Sequence, residues 1–121
     1  MSSNFAEFEQ TQARVADLLL SLHPPGFRWV RLRAELAPDN STVNFAYIYA
    51  DGHKEYEEWP WDATPLCRAF QKAMQQPDGK LWKVMLMIIE MPRGHIKTEF
   101  EREDSSRWDP YLKFRQPGEN W

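Results

Sequence analysis

The sequence contains a single cysteine, Cys67, in 121 residues. No disulfide can close within the chain, which fits a reducing compartment. Glycine is scarce as well. Gly26, Gly52, Gly79, Gly94 and Gly118 are scattered, and each fits a turn or tail. The phosphate loop, the dinucleotide fingerprint and the nucleophile elbow are therefore absent. His23, His53 and His95 fall in three separate loops or strand ends, without the clustered spacing that a histidine metal site needs. Long apolar runs are missing: Val84 to Ile89 is far too short to span a bilayer. The N-terminus lacks the basic start and apolar stretch of a signal peptide, so a cytoplasmic location is expected. Positive charge is not in excess. Fifteen Lys and Arg against eighteen Asp and Glu give a net charge of −3. That balance disfavours general nucleic-acid binding and suits a basic partner.

Aromatic residues are plentiful. They make up 14% of the chain, six of them Trp, more than core packing alone requires at this length. Hydrophobic residues at 42% suffice for one core, and the length suits one domain spanning 1–121.

Hydrophobic periodicity divides the chain. Phe5, Phe8, Val15, Leu18, Leu19 and Leu22 recur at helical spacing, predicting a helix from about Asn4 to Leu22 that Pro24-Pro25-Gly26 terminates. The period then becomes two. Val30, Leu32, Ala34 and Leu36 share one face of a strand; Trp29, Arg31, Arg33 and Glu35 share the other. After the turn at Pro38 to Ser41, Val43, Phe45, Tyr47 and Tyr49 alternate in a second strand. Asp51-Gly52 is a turn signal with a possible third strand, His53 to Trp59, behind it. Thr64 reads as a helix cap, with Pro65 opening a second helix that runs to about Gln76. Trp82 to Met91 reads as a central strand covered on both faces, and His95 to Glu103 as an alternating partner across a Pro92-Arg93-Gly94 turn. The order α-β-β-(β)-α-β-β predicts an α+β two-layer sandwich, with two helices on one face of an antiparallel sheet of four to five strands. The tail 105–121 is polar, yet it carries Trp108, Tyr111, Leu112, Phe114 and Trp121, so it is expected to be partly irregular and docked on the body.

The residues offer little for catalysis. Cys67 sits in a packed-looking helix and reads as a small buried apolar residue. Glu99, Glu101 and Glu103 alternate and would share one strand face. Such a row could serve a small metal-dependent hydrolase, although any solvated face produces it. Arg28, Arg31 and Arg33 beside Trp29 have the makings of a nucleic-acid platform, but Glu35 interrupts them and a solvated outer face is the simpler account. Two acidic-aromatic segments stand out more. Asp51 to Asp62 sets five acids against one lysine, with Tyr56, Trp59 and Trp61 among them. Glu99 to Asp109 sets five acids against Arg102 and Arg107, with Trp108 alongside. Acids steer a basic partner and aromatics anchor it. Trp59 and Trp61 equally suit packing between sheet and helix.

The stretches FRWVRLRAELAPDNSTVNFAYIYADG and LWKVMLMIIEMPRGHIKTEFEREDSSRW resemble the YezG-like antitoxin and immunity family. Trp29, Phe45-Tyr47-Tyr49, Trp82, Gly94, Phe100-Glu101, Asp104 and Trp108 carry the likeness over residues 5–109. Arg102 and the Pro92-Arg93-Gly94-His95 turn depart from the family pattern. The resemblance implies an immunity protein that neutralises a cognate toxin domain, often a nuclease delivered by a contact-dependent system. It is no enzyme on this reading, and no catalytic group, metal or cofactor is expected. The charge and aromatic pattern then places toxin binding on Glu55, Tyr56, Glu57, Glu58, Trp59, Glu99, Glu101, Glu103, Asp104 and Trp108. A metal-dependent hydrolase and a nucleic-acid-binding module remain the alternatives.

Overall fold

The computed structural model describes residues 3–108. A helix, α1 (Ser3–Ser21), leads into strands β1 (Trp29–Leu36), β2 (Ser41–Ile48) and β3 (Lys54–Tyr56). A 3-10 turn (Trp61–Ala63), helix α2 (Thr64–Ala73) and strands β4 (Val84–Glu90) and β5 (His95–Glu101) follow. The five strands form one antiparallel sheet in the order β3-β2-β1-β4-β5. This is the α+β architecture expected from the sequence. Among the described residues no helix is long and apolar enough to cross a membrane.

The central strand β1 sorts the two faces. Val30, Leu32, Ala34 and Leu36 pack with Phe45, Tyr47, Met85, Met87 and Ile89 beneath Val15, Leu19, Cys67 and Phe70 of the helices. Helix α1 crosses this face diagonally. Near its middle, Thr98 Oγ1 on β5 donates to Gln12 Oε1 at 2.6 Å; near its end, the Tyr47 hydroxyl on β2 donates to the Leu19 carbonyl. Phe70 of α2 meets Phe8 and Phe100 in tilted and edge-on contacts at 5.6 and 5.5 Å. Gln71, buried on the same helix, donates to the Trp82 carbonyl at 2.7 Å and fixes the entry to β4.

The structure corrects four local expectations. The third strand is three residues long, not seven, because the chain leaves the sheet after Tyr56. Ala63 holds the cap position of α2, because the 3-10 turn runs directly into the helix; Thr64 lies inside it and its hydroxyl accepts from Trp59 Nε1 at 3.3 Å. Strand β5 stops at Glu101, so Glu103 does not continue its face. The face opposite the helices is not a solvated one around β1. Arg31 and Arg33 are only 3% and 1% exposed. Arg33 donates from Nε to the Arg107 carbonyl at 3.2 Å, from one terminal nitrogen to the Ser105 carbonyl at 3.0 Å, and from the other to Glu35 at 3.2 Å. The segment after β5 thus returns across the sheet and is fastened by a guanidinium fork. Beyond Trp108 the expected docking of the tail lies outside the described residues.

Two outcomes follow from this packing. Replacing Arg33 by Ala removes three hydrogen bonds, and urea denaturation should show a loss of about 2 kcal/mol. Trypsin should then cut more readily after Arg107. Cys67 is buried, which pushes its thiol up to about 12. Thiol reagents should label it only as fast as the protein unfolds, and rapid labelling in native buffer would contradict its placement.

Candidate interaction surface

The turn between β2 and β3 is closed by Asp51, whose carboxylate accepts from the His53 backbone N–H at 2.9 Å. Gly52 adopts φ +90°, a left-handed conformation that its lack of a Cβ permits. This turn sends β3 back along β2, with Glu55 opposite Tyr47 on the helix-covered face and Tyr56 opposite Ala46 on the other.

Glu55 and Glu57 converge on a residue from a distant loop. His23 Nδ1 lies 2.8 Å from Glu57, and its Nε2 lies 2.8 Å from Glu55 and 2.9 Å from the Tyr49 hydroxyl. Its ring stacks on Tyr47 at 4.2 Å with a 12° tilt, and its side chain is 8% exposed. Tyr49 donates to Glu55 at 2.9 Å, and His53 Nε2 lies 3.1 Å from the second Glu55 oxygen. The contacts from His53 and Tyr49, with the charge of His23 behind them, hold the Glu55 carboxyl below its usual range. The phenol of Tyr49 moves the opposite way, raised by desolvation and by Glu55. Separations of 26 to 34 residues hid this cluster, since His23 carries no local motif.

The remaining residues of this edge face outward. Tyr56 is 48% exposed, and Trp61, on the 3-10 turn, is 87% exposed. Glu58 and Asp62 are exposed and form no ion pair among the described residues. Trp59 turns inward instead, edge-on to Phe45 at 5.8 Å. A notch of about 350 Å³ opens beside it, lined by Val43, Asn44, Phe45, Tyr56, Glu57 and Glu58 as well as Trp59. The exposed Trp61 was within the acidic-aromatic segment, but periodicity could not tell it from Trp59.

The second acidic-aromatic segment lies at the other edge of the sheet. Four strand spacings separate β3 from β5, about 19 Å. The two segments therefore lie at opposite edges of the sheet. The acids Glu99, Glu101, Glu103 and Asp104 are not free. Glu101, 15% exposed, accepts from the Asp104 and Glu103 backbone N–H groups, each at 3.0 Å, and from Arg107 at 2.8 Å. The Asp104 N–H, then Arg107 and the Glu103 N–H, pull its carboxyl down to about 2. Asp104 accepts from the Ser106 N–H and hydroxyl, which hold its carboxyl below the usual range. Glu103 pairs with Lys80, and Glu99 lies 3.5 Å from Lys97. Trp108 has its ring beneath Arg107 at 4.7 Å.

The glutamate row and the arginine row are laid out differently from what their spacing suggests. The glutamate row breaks after Glu101, and among the described residues no group of three His, Cys, Asp or Glu side chains gathers to hold a metal. Of the three arginines, Arg28 alone is exposed; it lies over Trp29 at 5.3 Å and 3.4 Å from Glu90. No protein-family model matches the chain, and no curated protein matches its sequence.

Glu101 sets a testable acid response. Its folded-state carboxyl titrates near 2 against 4.5 without those contacts, so the unfolded chain takes up the proton first. The contribution is complete above about pH 4.5 and disappears as pH falls toward about 2. Urea midpoints measured from pH 6 to pH 2.5 should show the advantage of the native protein over Glu101→Gln shrinking through that window. A constant difference would mean that the carboxylate does not anchor the turn as a charge.

Proposed function

We propose that the chain is an immunity protein that binds and neutralises a cognate toxin domain in the cytoplasm, without catalysis. The observation that carries this reading is the edge after β3. There Trp61 and Tyr56 stand in solvent beside Glu57, Glu58 and Asp62. Two exposed aromatics close together offer contact area of the kind that interfaces favour. The acids around it suit a partner rich in Lys and Arg, and they can occupy a nuclease site where phosphates would sit. The resemblance to the YezG-like family supplies the further identification of that partner as a toxin. The β5 edge is a poorer candidate, since Glu101, Glu103 and Asp104 are committed to their own turn and to Lys80.

The reading is tested with whatever small basic domain the neighbouring upstream reading frame encodes, its absence there counting against the reading. Co-expression should protect the host cell, and calorimetry should show tight, salt-sensitive binding. Trp61→Ala should weaken binding roughly 30-fold, the effect of a central anchor. The melting temperature should hardly change, because the side chain is already exposed. Glu103→Ala at the opposite edge should leave affinity unchanged. Equal affinity for the Trp61→Ala variant would move the interface elsewhere. Failure to protect, together with failure to bind the basic domain, would overturn the reading itself.

A further inference from the structure

Backbone hydrogen bonds fix the direction in which each residue of β2 points. On the β4 side of β1, the Met91 N–H donates to the Arg28 carbonyl at 2.7 Å and the Leu36 N–H to the Lys83 carbonyl at 2.9 Å. The even-numbered residues of β1 therefore direct their backbone groups to β4, and the odd-numbered ones to β2. In register these odd residues meet Thr42, Asn44, Ala46 and Ile48. Ser41, Val43, Phe45 and Tyr47 consequently point their backbone groups away from β1. Strand β3 covers Tyr47, and the Tyr49 N–H beyond it donates to the His53 carbonyl at 2.8 Å. It then ends at Tyr56. No described strand lies beside the backbone of Ser41 or Val43.

We infer that this bare stretch of β2 is a docking site for an extended, basic segment of the partner, which adds a strand in line with β3. The inference rests on the proposed binding function and names the mode of binding. Three features of this edge favour such an occupant. Unpaired N–H and C=O groups on a sheet edge are a template for strand addition, and Ser41-Thr42-Val43 carries none of the usual protection by Lys, Pro or a bulge. The notch beside Val43 is walled by Phe45 and Trp59, giving an apolar pocket for one side chain of the incoming strand. Its rim carries Glu57 and Glu58, and the covered Asn44 Oδ1 accepts no hydrogen bond among the described residues. Lysine or arginine side chains would pair with the first two and satisfy the third. A second copy of this chain fits less well, because pairing edge to edge would bring two Glu57-Glu58 rims together.

The probe is a capped eight-residue peptide of alternating lysine and valine, titrated into the ¹⁵N-labelled protein at low salt to millimolar concentration. The amide signals of Ser41, Val43, Phe45 and Tyr56 to Trp59 should shift together, and the Val43 amide should gain protection from exchange. Val43→Pro removes one outward donor without touching the pairing with β1, and should weaken binding roughly fivefold. The same peptide methylated on its backbone nitrogens should not bind, which keeps the test independent of whether Val43→Pro folds. A matching peptide of glutamate and valine should leave all signals in place. Shifts at Glu58 and Trp61 that spare Val43, or binding that survives backbone methylation, would overturn strand addition and leave the acidic-aromatic reading standing. No shift anywhere would overturn strand addition, while co-expression and calorimetry with the partner domain decide the binding function separately. Concentration-dependent dimerisation that blocks the same amides would assign the edge to a second copy instead.

Discussion

His23 is the fastening on which the working edge of this protein depends. It leaves the end of α1, lies flat on Tyr47 of β2, and presents a ring nitrogen to each of Glu55 and Glu57. The contact with Glu55 holds β3 against β2. The contact with Glu57 draws the chain off the sheet toward the helix side, immediately after Tyr56. That departure ends β3 at three residues. It leaves the first half of β2 uncovered, opens the notch above Trp59, and delivers Trp61 to solvent. Desolvation and the charge of Glu57 push the Tyr47 phenol upward, which keeps it a neutral donor to the Leu19 carbonyl. One imidazole thus ties helix, sheet and the following loop into one unit.

The opposite face uses a different fastening with the same logic. Arg33 reaches from the central strand to carbonyls more than seventy residues later. A guanidinium has donors in a rigid fork and no acceptor, so it suits two carbonyls and a carboxylate at once. Glu101 adds a second tie by gathering two backbone N–H groups and Arg107 at the end of β5. The turn after β5 is therefore built from its own acids. Its negative charge is neutralised or hydrogen-bonded where it stands, which separates it from the equally acidic stretch after β3.

Much of the fold was legible because it follows from local period. The alternation in Val30 to Leu36 and in Val43 to Tyr49, the Asp51-Gly52 turn, and the unbroken apolar run at β4 each name their element. The strand order was not legible. The connection through α2 returns β4 to the side of β1, so β3 and β5 become opposite edges, and two segments of similar composition end up about 19 Å apart. Arg31 and Arg33 stand at positions where a two-residue period predicts solvent, and for Arg33 it is chain from far downstream that changes this. His23 was equally hidden. Nothing in Leu22-His23-Pro24 announces two glutamates more than thirty residues away. Trp59 and Trp61 sit two positions apart, so an extended chain would put them on the same side; the 3-10 turn parts them, one inward and one outward.

The acids of the β3 edge do two jobs that need not compete. Glu55 and Glu57 are held by His23, Tyr49 and His53, while Glu58 and Asp62 make no such contacts among the described residues. A basic partner approaching from solvent feels the summed field of all four before it touches any of them, because steering acts over about a Debye length, roughly 8 Å at physiological salt. Contact energy, by contrast, must come from groups that can re-pair, and these are Glu58, Asp62 and the outer oxygen of Glu57. A charge removed at Glu55 would therefore disturb folding and association rate together, whereas one removed at Glu58 would act on binding alone. The same division explains how a domain of this size can keep a strongly acidic edge. Glu55 and Glu57 are held in place by His23, and Glu58 and Asp62 are left for the partner.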